Sequence, residues 1–121
     1  MKLFVIVLNK VDKLDKLLEE LIENGISGAT IINSTGMAHE LLSHDDLGFI
    51  GAFRQLLDPK RKENRTIYMV LEDSQVDKVI DIVDRVVEGI DNPDTGIIFT
   101  VPVDLIRGVK ILWYFWIWEL Y

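Results

Sequence analysis

Twice along this chain an amphipathic helical stripe lies between apolar runs too short to be helices, and that recurrence restricts the fold more than any other feature. Lys2 to Leu8 is an almost unbroken apolar run ending at Asn9, as a central strand requires. Val11, Leu14, Leu17, Leu18, Leu21 and Ile22 then recur at three and four residues, with acids and lysines on the other face, until Gly25 supplies a stop. Ala29 to Asn33, within Gly28 to Ser34, reads as the second strand, and Thr66 to Leu71 as the third. Asp73 or Ser74 can accept a hydrogen bond from the free amides opening a second helix. Val76, Val79, Ile80, Val83, Val86 and Val87 form its stripe, Ile82 widens it, and Gly89 ends it. Asn92, Pro93, Asp94 and Gly96 mark a tight turn feeding the fourth strand, Ile97 to Val103. The tripeptide Val11-Asp12-Lys13 even recurs as Val76-Asp77-Lys78.

Two β-α-β halves in succession predict an α+β, ferredoxin-like βαββαβ fold, a four-stranded antiparallel sheet with two helices on one face. The opposite face then needs cover. All four strands are apolar on both alternations, so that face is expected to pack against other copies of the chain. At 121 residues and 49% hydrophobic, the chain suits one domain with its own core.

Charge removes several classes of function. A net charge of -7 and a pI near 4.7 argue against a nucleic-acid binder, whose affinity rests on clustered Lys and Arg. There is no cysteine, hence no disulfide or thiolate chemistry, which is compatible with the cytoplasm. Leu3 to Leu8 is too short for a signal core or a membrane span. No Gly-x-Ser-x-Gly, no phosphate-binding Gly-x-x-x-x-Gly-Lys and no nucleophile with a base at recognisable spacing is present, so an enzyme is not expected.

The connection at 37–65 far exceeds the usual 4 to 6 residues or so, which points to a functional loop. Within it Phe49, Ile50, Phe53, Leu56 and Leu57 fall at helical spacing, between a cap at Asp45 or Asp46 and a stop at Asp58-Pro59. Such a helix either folds back on its own domain or is recognised in a partner's groove, with Phe49, Phe53 and Arg54 as contacts. Arg54, Lys60, Arg61, Lys62 and Arg65 carry five of the thirteen positive charges, either as a solvated loop or as a contact for phosphate or an acidic partner. His39 and His44, with Glu40, Asp45 and Asp46, are weak candidates for a divalent metal, because two histidines five apart do not share a helix face. Residues 111–121 form an aromatic tail in which Trp113, Tyr114, Phe115, Trp116, Trp118 and Tyr121 are six of eleven aromatics. Its eight-residue apolar run cannot cross a bilayer, leaving a cap between subunits or a partner or membrane-surface contact.

With Lys2-Leu3-Phe4-Val5-Ile6-Val7, Gly28-Ala29-Thr30, Thr35-Gly36-Met37, the long loop and Thr95-Gly96-Ile97-Ile98-Phe99-Thr100-Val101-Pro102-Val103, residues 1–110 resemble the PII signal-transduction family, including its divergent PII-like branch. The resemblance implies a homotrimer that binds a small effector, an adenine nucleotide, in clefts between subunits. It also implies control of a transporter or regulated enzyme through the long loop. Carried over, Thr35, Gly36 and Met37 would stand at the loop base where ligand enters, Thr95 and Gly96 in a phosphate-cradling loop, and Arg107 and Lys110 near the cleft. The chain departs from the pattern where it has Ile97 in place of a phosphate-gripping lysine, and Gly108 and Lys110 in place of two arginines. Glu40 replaces a loop-base glutamine and would repel a dicarboxylate such as oxoglutarate. A metal-sensing or metal-tolerance trimer of the same fold is the alternative, using the loop around His39 and His44.

Overall fold

Strand and helix periodicities decide which side chains meet, and in the computed structural model they meet as one sheet with a helical layer; residues 1–37, 40 and 63–108 are described. The elements are β1 (Lys2–Leu8), α1 (Leu14–Glu23), β2 (Ala29–Ser34), β3 (Asn64–Leu71), α2 (Asp73–Val86) and β4 (Gly96–Pro102). The sheet has the order β2-β3-β1-β4 and every neighbouring pair is antiparallel. This is the expected ferredoxin-like arrangement. Phe4, Ile6 and Leu8 of β1 and Ile67, Met69 and Leu71 of β3 pack against Leu17 and Leu21 of α1 and Val79, Ile82, Val83 and Val86 of α2. Gly25 and Gly89 stop the helices with φ of 81° and 109°.

Directly opposed residues in a sheet share a face, so the register also defines the face without helices. One row across it reads Ile32, Thr66, Val7, Ile97; the next reads Thr30, Tyr68, Val5, Phe99; the last pairs Val70, Leu3 and Val101. Val5 is buried between Tyr68 and Phe99, but Ile32, Val70, Ile97, Phe99 and Val101 remain exposed in the single chain. A contiguous apolar face of this kind marks an interaction surface.

Several local expectations are corrected. Val11 to Lys13 form a 3-10 turn ahead of α1, whereas Val76 to Lys78 lie inside α2, so the repeated tripeptide does not mark equivalent positions. The N-cap of α2 is Glu72, not Asp73 or Ser74: its backbone is extended, its amide donates to Gln75 Oε1 at 2.9 Å and its carbonyl accepts the Gln75 amide at 2.9 Å. β3 begins at Asn64 instead of Thr66, because Ser34 and Asn64 continue the pairing with β2. Ile22 is 64% exposed and does not join the core stripe of α1. β4 ends at Pro102, after which the Val103 amide donates to the Met1 carbonyl at 3.2 Å.

Candidate ligand-binding site at the loop end of the sheet

Register places the two predicted ligand segments at one end of the sheet. Gly96, Leu8, Arg65 and Asn33 stand in one row, so the Thr35 to Met37 segment after β2 and Thr95 and Gly96 before β4 leave the same end. They leave from opposite edges. Three strand spacings of about 4.8 Å separate those edges, roughly 14 Å. One chain therefore does not bring the two segments together side by side.

The root of the long loop is tied by a polar cluster that sequence reasoning missed. Ser34 Oγ donates to Asn64 Oδ1, and the Ser34 and Thr66 hydroxyls are 2.8 Å apart. Asn64 is only 8% exposed, so losing its partner would leave a buried amide group short of a hydrogen bond. Opposed Ser and Asn at a hairpin's end were the available signal. Beyond the cluster the Glu40 amide donates to the Gly36 carbonyl at 3.0 Å, and Met37 is exposed. A Cβ at Gly36 would sit 3.7 Å from Asn64 Nδ2, an ordinary contact, so the fold itself makes no demand for glycine there.

At the other edge the turn between α2 and β4 is held by bonds to the end of α2 and within itself. The Gly89 amide donates to the Asp84 carbonyl at 2.9 Å, the Ile90 amide to Asp84 Oδ1 at 2.8 Å and the Asn92 amide to the Gly89 carbonyl at 3.1 Å. Thr95 is 1% exposed; its carbonyl accepts the Asn9 amide at 3.0 Å and the Lys10 amide at 3.3 Å, while its hydroxyl donates to the Pro93 carbonyl at 3.4 Å. Lys10 Nζ donates to the Val87 carbonyl at 3.1 Å, placing a cation at the carbonyl end of α2. Gly96 lies so close to β1 that a Cβ would fall 2.5 Å from the Val7 carbonyl oxygen. Its φ of 154° adds a second demand for glycine, so the fold by itself accounts for the residue.

Arg107 is exposed and follows β4 at the end of the sheet opposite Thr95 and Gly96, since Pro102 pairs with Lys2. Lys110, the loop contacts Phe49, Phe53 and Arg54, the metal candidates His39 and His44, and the aromatic tail lie outside the described residues. Among the described residues no group of three His, Asp or Glu could hold a metal ion, and no helix is long and apolar enough to cross a membrane. The helical layer carries its own electrostatics. The Arg85 guanidinium bonded to Glu20 holds that carboxyl below its ordinary value, outweighing the opposing desolvation, and Lys16 at 3.8 Å adds to the effect.

Compared with known protein families, residues 1–111 match the one described as Nitrogen regulatory protein P-II. The chain belongs to the P-II family. That match spans all six elements and the loop between β2 and β3, and it agrees with the four-stranded sheet and its two helices. Membership makes this P-II chain a regulatory signalling protein in the general sense. No curated protein matches the chain.

Proposed function

We propose that this P-II protein is a cytoplasmic homotrimeric regulator and not an enzyme. In this reading it binds a small effector, an adenine nucleotide, between subunits and controls a transporter or enzyme through its 37–65 loop. The observation that carries the reading is the pairing of two geometric facts. The face without helices exposes Ile97, Phe99 and Val101 of β4 together with Ile32 and Val70, which calls for other copies of the chain. The two candidate ligand segments stand at one end of the sheet on opposite edges, so a site using both is completed by a neighbouring subunit. The number three comes from the family. The clustered hydrogen bonds of Ser34, Asn64 and Thr66 join the loop's root to the sheet, which gives an effector at the loop base a physical route to the loop.

Light scattering combined with calorimetry tests this. The expected mass is three times 13.9 kDa, with one class of nucleotide site that orders the loop in hydrogen exchange. A monodisperse monomer at micromolar concentration would sink the trimer, and loop protection unaffected by every effector would sink the switch.

A further inference from the structure

A polyphosphate needs several cations or free amides converging on it. The turn between α2 and β4, where the family resemblance puts phosphates, offers no cation of its own, and several of its amides are already used. From Val86 to Ile106 the sequence contains no Lys or Arg, while Glu88, Asp91 and Asp94 are all exposed in this turn. The amides of Gly89, Ile90 and Asn92 are donated within the chain, and so are those of Asn9 and Lys10 across from Thr95. The neighbouring lysines are engaged: Lys10 caps the Val87 carbonyl, and Lys13 pairs with Glu88 at 3.7 Å. Directly after Gly96 the exposed side chain is Ile97, 56% accessible and in register with Val7, Thr66 and Ile32. An anion here would meet exposed carboxylates and, directly after Gly96, an apolar side chain. The charges of this turn do not fit a di- or triphosphate.

Resting on the effector reading above, we propose that this turn selects against polyphosphates, so that the effector at this end of the sheet is uncharged or carries a single phosphate. Asp91, Asp94 and Ile97 are then specificity-determining residues. The exposed carboxylates of the turn disfavour each added phosphate, and Ile97 offers an apolar surface where a cation would be needed to offset them.

The test is calorimetry on the full chain at fixed salt with adenosine, adenosine monophosphate, ATP with magnesium, and inorganic tripolyphosphate, repeated on Asp91→Asn/Asp94→Asn and on Ile97→Lys. Asparagine tolerates the left-handed backbone of Asp94, whose φ is 61°, so the double variant keeps the fold even where Ile97→Lys does not. Expected is binding of ATP at least tenfold weaker than of the monophosphate in the wild type, with at least a tenfold gain for ATP in the double variant. Tight magnesium-dependent ATP binding by the wild type overturns the proposal, and so does a double variant that gains nothing. If no adenine compound binds either protein, the effector reading fails, and tripolyphosphate still decides: binding to the double variant alone supports exclusion by the carboxylates, whereas binding to the wild type, or to neither, overturns it.

Discussion

Glycines 36 and 96 look alike in sequence, each closing a turn beside a strand, and the structure gives them opposite standing. A Cβ at Gly96 would meet the Val7 carbonyl oxygen, which belongs to the backbone of a central strand and cannot move aside. Gly96→Ala is therefore expected to lower the unfolding free energy by about 1–3 kcal/mol, read from urea midpoints at unchanged slope. Gly36→Ala should stay within about 0.5 kcal/mol. If Gly36→Ala nonetheless abolishes effector binding, the glycine serves close approach of a ligand instead of the fold. A second residue-scale prediction concerns Glu20. Its folded value lies below the unfolded one, so the Arg85 contact stabilises the protein above the ordinary glutamate range and that contribution is lost as pH falls through the folded value. The difference in thermal midpoint between wild type and Arg85→Ala should shrink as pH drops below about 4.3. A constant difference down to strong acid would remove the ion pair as its cause.

Among the elements, the ladder of β2 and β3 is closed at its loop end by side-chain hydrogen bonds of Ser34, Asn64 and Thr66. Asn64→Ala removes the acceptor of the Ser34 hydroxyl and should cost about 1–3 kcal/mol, with hydrogen exchange rising in 29–34 ahead of the helices. Uniform acceleration across the protein would mean the cluster supports the whole sheet and not the loop root. This cluster also shows where sequence reading stops. The apolar runs of β1, β2, β3 and β4 were legible because burial on one face or both imposes a composition, and the stripe of α2 was legible through its 3.6 period. Asn64 and Arg65 carry no such pattern; they are strand because Ser34 opposes Asn64 and both Asn33 and Leu8 oppose Arg65. Glu72 is a weak N-cap by propensity and works here because Gln75 reaches back to its amide. Of the candidate site, Thr35 to Met37 and Thr95 with Gly96 could be named from the sequence. Their roughly 14 Å separation could not, since it follows from strand order.

For the whole molecule the decisive question is what covers the sheet. In a single chain Phe99 is 44% exposed and Val101 42%, values at which substitutions usually change stability by no more than about 0.5 kcal/mol. If this face packs against other copies, the same positions behave as core, because a carboxylate placed there would be desolvated without a partner. Phe99→Glu therefore separates the two cases, with Ile22→Glu as the control, since Ile22 is the more exposed residue and sits on the outer side of the helical layer. The expected outcome is that Phe99→Glu drops the mass by light scattering from three times 13.9 kDa to 13.9 kDa and abolishes effector binding, while Ile22→Glu retains both. Loss of effector binding matters as much as loss of mass, because a site that drew on opposite edges of neighbouring sheets would not survive their separation. A Phe99→Glu chain that keeps the wild-type mass would place the subunit contact elsewhere, and one that becomes monomeric yet binds effector unchanged would confine the site to a single chain.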